Sequence, residues 1–186
     1  TRNGQATRFS EKEVRPMGRA TAGVDAIRLG KGDVVVSMDI VNPDTKAALL
    51  VVTTKGMGKR TPISLFPRHH RAGGGVRSIT LIPRGGHVCV ARVVYGNDDM
   101  VVISTLGQVI RVFADSIPYK GRPAQGVNVM SMRDKDEVAS LALVPRTDQS
   151  GKLIGDADLE VLAEDELPTD LEGEDGLDEA GPEAAV

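Results

Sequence analysis

Two arginine positions recur in each of three similar stretches of this 186-residue sequence. Counted from Gly4, Gly56 and Gly107, one arginine follows after four residues and another after fifteen. These arginines are Arg8, Arg60 and Arg111 at repeat position 4, and Arg19, Arg71 and Arg122 at repeat position 15. A guanidinium stays charged and offers a planar fork of N–H donors that fits phosphate oxygens or backbone carbonyls. Two roles are therefore open for these side chains, contact with a phosphate-bearing partner or attachment of loops to the fold.

Other residues that could carry chemistry lack the partners that such chemistry needs. His69 and His70 have no carboxylate or thiol at ligand spacing, and the neighbouring arginines would repel a metal ion. The glycine run at 73–75 is not followed by the Lys-Ser/Thr pair of a nucleotide-binding loop. The single cysteine, Cys89, lies in an alternating apolar run and predicts a buried structural thiol. The sequence thus contains no recognisable catalytic, metal-binding or nucleotide-binding motif.

The repeat that carries the arginines predicts an all-β fold. Apolar, β-branched runs at 49–54 and 100–105 stop at glycines, which suit hairpin positions that need a positive φ. A second strand and a Gly- and Arg-rich loop follow each glycine. A third strand is predicted at 24–29 and 76–81, and a fourth at 33–38, 88–94 and 138–144. Four strands in about 50 residues predict one four-stranded blade of a propeller-like array.

The repeat also predicts the organisation of the chain. We expect a partial blade at 1–45 (the first copy), blades at 46–96 and 97–148 (the second and third copies), and a disordered acidic tail at 149–186. The first copy lacks the apolar strand that precedes the glycine in the other two. Because closed propellers typically have four to eight blades, three copies are expected to be part of a larger ring with an exposed edge.

Charge divides the chain into a basic body and an acidic tail. Residues 1–152 contain all 23 lysines and arginines and 13 of the 26 acids, a net charge of +10. Residues 153–186 contain the other 13 acids and no base, a net charge of −13. This asymmetry favours contact with nucleic acid or another charged partner. No apolar run approaches the roughly 20 residues of a membrane-spanning helix, so no such helix is predicted.

Three stretches of the body resemble a known family. They are Val14-Arg-Pro-Met-Gly-Arg-Ala-Thr-Ala-Gly-Val24, Thr54-Lys-Gly-Met-Gly-Lys-Arg-Thr61 and Asp115-Ser-Ile-Pro-Tyr-Lys-Gly-Arg-Pro-Ala-Gln-Gly-Val127. Over roughly residues 1–146 the chain is similar to the C-terminal domain of the DNA gyrase A protein, a six-bladed β-pinwheel. The resemblance implies the last three of six blades, followed by an acidic tail.

One motif of that family is absent. Its diagnostic box, Gln-Arg-Arg-Gly-Gly-Lys-Gly, separates gyrase from topoisomerase IV and normally lies in the first blade, which is outside this chain. The equivalent loop here reads His69-His-Arg-Ala-Gly-Gly-Gly75. The acidic tail and the Arg-Pro-Met-Gly-Arg segment at 15–19 favour gyrase over topoisomerase IV.

The resemblance implies a module that binds and wraps duplex DNA without sequence preference and supports ATP-dependent negative supercoiling. Cations at loop tips, repeated about every 50 residues, would form a curved row that neutralises phosphates without reading bases. The expected DNA-binding residues are Arg2, Arg8, Arg19, Lys55, Lys59, Arg60, Arg68, Arg71, Arg111, Lys120 and Arg122, with His69 and His70 beside them. For the lysines and Arg68, which vary between copies, DNA contact is favoured over chance surface charge. For the repeated arginines, attachment to backbone carbonyls explains the repetition equally well.

The resemblance also implies that the chemistry lies elsewhere in the complete enzyme. Neither Tyr95 nor Tyr119 matches the motif of the DNA-cleaving tyrosine, which belongs to the N-terminal part of the gyrase A protein. We expect no cofactor in this chain, with ATP and Mg bound elsewhere. The expected partners are duplex DNA, the gyrase B protein and a second copy of the gyrase A protein, in the cytoplasm and without membrane contact.

Two alternative functions and two roles for the tail remain open at this point. The chain could be the topoisomerase IV counterpart, which binds DNA crossings, or a propeller-like protein-interaction module whose rim binds acidic proteins. The tail could provide solubility, or it could fold over the basic rim and compete with DNA. Competition predicts tighter DNA binding once residues 153–186 are removed.

Overall fold

The computed structural model describes residues 1–42, 46–95 and 98–144. Its strands are β1 (Gln5–Ala6), β2 (Ala48–Thr53), β3 (Met57–Pro62), β4 (Val76–Arg77), β5 (Val88–Val94), β6 (Asp99–Ser104), β7 (Val109–Phe113), β8 (Val127–Asn128) and β9 (Val138–Val144). Short 3₁₀ helices lie at Glu11–Glu13, Ile63–Leu65, Pro83–Gly85 and Ala114–Ser116. The described ranges contain no α-helix, and hence none that could cross a membrane, so the all-β prediction is confirmed. The predicted acidic tail at 149–186 lies outside the described residues.

The strands form three antiparallel sheets. The order is β5-β2-β3-β8 in the four-stranded sheet and β7-β6-β9 in the three-stranded sheet, and β1 pairs with β4. In the central sheet Leu50 lies opposite Arg60 on one side and Arg92 on the other. The hairpins β2–β3 and β6–β7 turn at Gly56 and Gly107, which have φ of 77° and 83°. The predicted positive-φ glycine turns are therefore confirmed.

Neighbouring copies exchange a short strand. β8 belongs to the third copy but pairs with β3 of the second, with Met57 opposite Asn128. In the same way β4 of the second copy pairs with β1 of the first, with Gln5 opposite Arg77. The prediction that four consecutive strands form one blade was therefore wrong in detail. The Gly- and Arg-rich loop carries the chain back to the preceding copy, so a blade combines three strands of one copy with one from the next.

A glycine makes this exchange possible. Gly75 and Gly126, at repeat position 19, have φ of 73° and 91°, a conformation that L side chains rarely adopt. A Cβ atom would lie 2.6 Å from the carbonyl oxygen of Ala6 at Gly75, and 2.7 Å from that of Gly58 at Gly126. Only a residue without a side chain allows the backbones of two copies to approach this closely.

The first copy is less regular than the sequence predicts. The strands predicted at 24–29 and 33–38 are absent except for a single bridge between Ile27 and Gly73. In the second copy β5 is held by β2, but no strand in the described part of the chain lies in the corresponding place beside residues 33–38. This segment forms no strand ladder and is held by separate hydrogen bonds, from the Arg2 N–H to the Val34 carbonyl and from the Ala91 N–H to the Ser37 hydroxyl.

The largest apolar core joins the second and third copies. Leu50, Val52 and Val94 pack in one cluster with Met100 and Met130, and all five side chains are almost completely buried. Burial of one such side chain contributes about 1.5–3 kcal/mol. Since the cluster draws on both copies, neither copy would bury these residues alone.

We expect Gly126→Ala to destabilise the fold by about 2 kcal/mol more than Gly23→Ala. Both glycines occupy repeat position 19 with positive φ, so both variants carry the same backbone strain. At Gly126 the new methyl would also meet the carbonyl of Gly58, whereas nothing lies within 4 Å at Gly23. Urea unfolding of the two variants checks this difference, and equal midpoints would contradict the exchange contact.

Candidate nucleic-acid interface

Two of the three arginines at repeat position 4, Arg8 and Arg60, tie their copy to the next. Arg60 is 4% exposed and crosses into the third copy, where its Nε donates to the carbonyl of Ile117 at 2.6 Å. Its Nη2 donates to the carbonyl of Asp115 at 3.2 Å. The guanidinium lies 4.2 Å from the centre of the Tyr119 ring, a cation–π contact. Arg60 therefore caps the 3₁₀ helix of the following copy.

Arg8 repeats this contact one copy earlier, and Arg111 departs from it. The Nη1 of Arg8 donates to the carbonyls of Ile63 and Phe66 in the second copy, at 3.2 and 3.3 Å. Arg111 instead forms an ion pair with Asp99 of its own copy, and its side chain is 61% exposed. Of the two roles open for these arginines, attachment to backbone carbonyls is the one that Arg8 and Arg60 have.

Lys59 is enclosed between the second and third copies. The residue is 0% exposed, and its Nζ donates to the carbonyls of Gly121 at 2.5 Å and Arg122 at 2.6 Å. Burial, together with the nearby charges of Arg122 and Lys120, lowers the pKa of Lys59 to about 7. A DNA phosphate cannot reach an ammonium group in this position. The expectation that Lys59 and Arg60 contact DNA is therefore corrected, since both side chains serve the joint between copies.

The residues at repeat position 15 lie in the loops that cross between copies. The Nη1 of Arg71 donates to the carbonyl of Asp25 at 3.1 Å, and its backbone N–H donates to Glu13. Arg19 is exposed. Arg122 is half-buried and offers its carbonyl to Lys59. The loops are thus held mainly through their backbones, and part of their charge faces solvent.

These crossing loops, residues 14–23, 66–75 and 117–126, form a surface that we call the loop rim. The second and third of these loops are each bonded to the copy before them, by His69 N–H to the Arg8 carbonyl and by Lys120 N–H to the Arg60 carbonyl. The cationic residues of the loop rim are Arg15, Arg19, Arg68, Arg71, Lys120 and Arg122, with His69 and His70. Arg15, Arg19 and Arg68 are exposed.

The opposite ends of the strands form a second surface, the hairpin rim, at residues 2–4, 30–33, 54–56, 83–87, 105–107 and 133–137. Two of the predicted DNA-binding residues lie here. Lys55 pairs with Glu137 at 3.0 Å, and Arg2 donates to the carbonyl of Gly32 at 2.7 Å. Both are therefore partly engaged within the fold, and the structure places them on a different surface from the loop cations.

Several exposed cations of the hairpin rim were missed by the sequence analysis. They are Lys31, Arg84, Arg133 and Lys135. A signal for them existed, since Arg84 and Lys135 both follow their origin glycine by 28 residues. Acids lie among them, and Asp136 accepts hydrogen bonds from the Leu106 N–H and the Thr105 hydroxyl. The hairpin rim consequently mixes both charges, whereas the loop rim is predominantly basic.

The other side chains that could carry chemistry, His70 and Cys89, lie among residues that offer no reactive partner. The side chain of His70 is 96% exposed and lies 3.3 Å from the Glu13 carboxylate. Cys89 is half-buried in β5, where burial and the Glu137 charge raise the pKa of its thiol. No group of three or more His, Cys, Asp or Glu side chains suited to a metal ion occurs within the described ranges. The charged loop rim is therefore the feature that carries the functional argument.

Comparison with known proteins agrees with this architecture. The family model described as DNA gyrase C-terminal domain, beta-propeller, matches residues 1–42, 47–85 and 98–145. The DNA gyrase A protein of Kosmotoga olearia is 45% identical over 144 residues, which cover 77% of this chain and 18% of that protein. The DNA gyrase A protein of Staphylococcus epidermidis is 35% identical over 177 residues, which cover 90% of this chain and 20% of that protein. The chain thus spans about a fifth of the length of these relatives.

Solved structures show the same fold. A DNA gyrase A C-terminal domain superposes with a TM-score of 0.70 at 26% identity, over 76% of this chain and 48% of that one. The C-terminal domain of a DNA topoisomerase IV gives a TM-score of 0.74 at 25% identity, over 86% and 49%. Together with the exchanged strands, these superpositions define the class as a β-pinwheel, a propeller-like array. Within that class, the chain belongs to the family of DNA gyrase A C-terminal domains.

We expect Arg60→Met to lower the free energy of unfolding by about 2–4 kcal/mol, because it removes charged hydrogen bonds that no other donor replaces. Arg84→Met provides the matched control. Arg84 is an exposed arginine, so its replacement should change the free energy of unfolding by no more than about 0.5 kcal/mol. Denaturant unfolding of both variants checks the prediction, which fails if the two lose similar stability.

The lowered pKa of Lys59 predicts a pH dependence of stability. Between about pH 7 and the ordinary lysine value of 10.5, the unfolded chain binds a proton that the folded chain has lost. The free energy of unfolding should therefore gain a rising component across this window, and Lys59→Met should lack it. Lys55→Met, which changes a partly exposed lysine, should retain it. Unfolding curves measured from pH 7 to pH 10 check this, and equal slopes for the wild type and Lys59→Met would contradict it.

Proposed function

We propose that this chain binds duplex DNA along its loop rim, as a module of a type IIA DNA topoisomerase. The supporting observation is that the second and third crossing loops are bonded to the copy before them, and that successive loops present exposed cations such as Arg19 and Arg68. Family membership supports the same function, since the relatives are components of DNA gyrase. Cations that contact phosphates fix the position of a duplex without reading its sequence, so no base specificity is expected.

We further propose that the rim bends the duplex around the array. The second and third loops are anchored on the preceding copy, so the cations follow the succession of copies rather than one straight strand. Bending 20–30 base pairs costs on the order of 1–6 kcal/mol, which contacts between several cations and phosphates would offset. In the complete enzyme such wrapping would present a second DNA segment to the cleavage gate and favour negative supercoiling.

The other components of that enzyme lie outside this chain in our proposal. The gyrase B protein would supply ATP hydrolysis with its ATP and Mg, and a second gyrase A protein would complete the assembly in the cytoplasm. Resemblance to the topoisomerase IV domain supports one alternative, a module that binds DNA crossings without full wrapping. The two versions share the loop rim and differ in how far the duplex bends.

The affinity for a random-sequence duplex, titrated against salt, tests the proposal. Contact with roughly six phosphates predicts a slope of log K against log salt near −5. Arg19→Ala combined with Arg68→Ala should weaken binding equally for all sequences and reduce the slope by about two. The matched control is Arg84→Ala with Lys135→Ala, which removes the same charge from the hairpin rim and should change the slope much less.

Three results would contradict the proposal. A larger loss from the hairpin-rim pair would place the DNA on the other surface. Failure of the folded chain to bind duplex at about 50 mM salt would remove the function, since nonspecific contacts are strongest at low salt. Equal affinity for an acidic polypeptide and for duplex would favour the protein-interaction module instead.

A further inference from the structure

Lys59 is a charged side chain that the proposed contact with DNA leaves unused. The residue is 0% exposed, and its Nζ donates to the carbonyls of Gly121 at 2.5 Å and Arg122 at 2.6 Å. Both acceptors belong to the crossing loop 117–126, which is part of the loop rim. An amine inside the fold therefore holds the backbone of a loop whose side chains reach the surface.

No carboxylate balances the charge of this amine in the part of the chain that the structure describes. The ion pairs found there involve Lys55, His70, Arg92 and Arg111, and Lys59 takes part in none of them. β2 and β8 flank β3 in the sheet, and neither strand contains a titratable side chain. The ammonium is consequently stabilised by carbonyl dipoles alone.

The charged groups that face Lys59 are cations. Segment 78–82, which is bonded to the crossing loop through the Thr80 N–H, contains no titratable side chain. Asp115, on the 3₁₀ helix before the loop, is exposed. The titratable groups on β3 and on the crossing loop are Arg60, Tyr119, Lys120 and Arg122. Lys59 thus shares its joint with like charges.

This environment disfavours the charged form of the amine. Removal from water and the proximity of other cations both act against an ammonium ion. In agreement with this geometry, burial and the charges of Arg122 and Lys120 lower the pKa of Lys59 to about 7. Near neutral pH the side chain therefore exists in both its charged and its neutral form.

The same two cations connect Lys59 to the surface. Lys120 and Arg122 are half-buried members of the loop rim, where we propose that DNA phosphates bind. A phosphate at this loop would add negative charge beside the cations that act against the ammonium, and so would favour its charged form. The protonated amine would in turn form stronger, charge-assisted hydrogen bonds to the two loop carbonyls.

We propose that Lys59 is a positioning residue that takes up a proton when duplex DNA binds to the crossing loop 117–126, and that the proton tightens this loop against β3. The inference rests on the proposed function and adds a regulation to the same surface. DNA does not touch Lys59, because the coupling acts through Lys120 and Arg122. Since linkage is reciprocal, a lower pH strengthens DNA binding.

The affinity for duplex should therefore depend on pH. If bound phosphates stabilise the ammonium about tenfold, the affinity should fall about fivefold between about pH 7 and pH 9 at constant salt. This range lies above the titration of an unperturbed imidazole, so ordinary histidines contribute little to it. Lys59→Met should bind duplex with a much flatter pH profile, whereas Lys55→Met should retain the wild-type profile.

Calorimetric titration with a random-sequence duplex at about pH 8 counts the protons directly. Comparison of two buffers that differ in ionisation enthalpy should show an uptake of about 0.4 proton per bound wild-type chain. Lys59→Met should lack this uptake, and Lys55→Met should retain it. A merely structural role for Lys59 would change stability and affinity without moving a proton on binding.

A second variant avoids any change inside the joint. Lys120→Met removes one of the two neighbouring cations from a half-buried position, so roughly half of the proton uptake should be lost at saturating duplex. Arg68→Met is the matched control, because it removes a cation from the preceding loop of the rim. It should weaken binding, yet at saturation it should keep the full uptake.

Four results would overturn the inference. Salt-dependent binding by the wild type without proton uptake would exclude it and leave the proposed function intact. Equal uptake by the wild type and a folded Lys59→Met would assign the proton to another group. Equal uptake by the wild type and Lys120→Met would exclude coupling through the rim cations. Failure to bind duplex at about 50 mM salt would remove the proposed function together with the inference.

Discussion

The close approach of two backbones at repeat position 19 is the constraint on which the rest of the structure depends. A short strand of one copy must lie against the outer strand of the preceding copy, and the space at Gly75 and Gly126 excludes even a methyl group. Once this approach is made, the crossing loop runs beside its neighbour's strand. The buried ammonium of Lys59 and the guanidinium of Arg60 can then reach carbonyls of the next copy. The apolar cluster around Leu50 and Met100 is enclosed by the same arrangement.

This dependence separates what the sequence could predict from what it could not. The strands β2, β5, β6 and β9 follow from their β-branched runs, and the hairpin glycines follow from their place after such runs. The recurrence of Gly75 and Gly126 indicated that this position is constrained. The residue that each glycine contacts, however, lies about 70 positions earlier in the chain, as Ala6 does for Gly75. Spacing along one chain does not reveal that a strand pairs with another copy, so the exchange was missed.

In the candidate site, too, the sequence predicted the roles of some residues and not those of others. Recurrence drew attention to Arg8 and Arg60, yet perfect repetition is what a structural joint produces, because each joint needs the same donor. Lys59 varies between copies and was for that reason assigned to DNA, although its burial depends on how the loop at 118–122 folds over it. Arg84 lies in a short 3₁₀ helix and Lys135 in a turn, and both are exposed, so the local sequence alone could have found them. Whether a cation faces inward or outward is thus decided by contacts between copies.

The anchoring of the second and third crossing loops on the preceding copy has a mechanical consequence. A force applied to Arg68 or its neighbours reaches the second copy through the chain itself, and it reaches the first copy through the His69 N–H bond to the Arg8 carbonyl and the Arg71 N–H bond to Glu13. A load on one loop is therefore shared between two adjacent copies, and the joint between them resists the displacement of the loop.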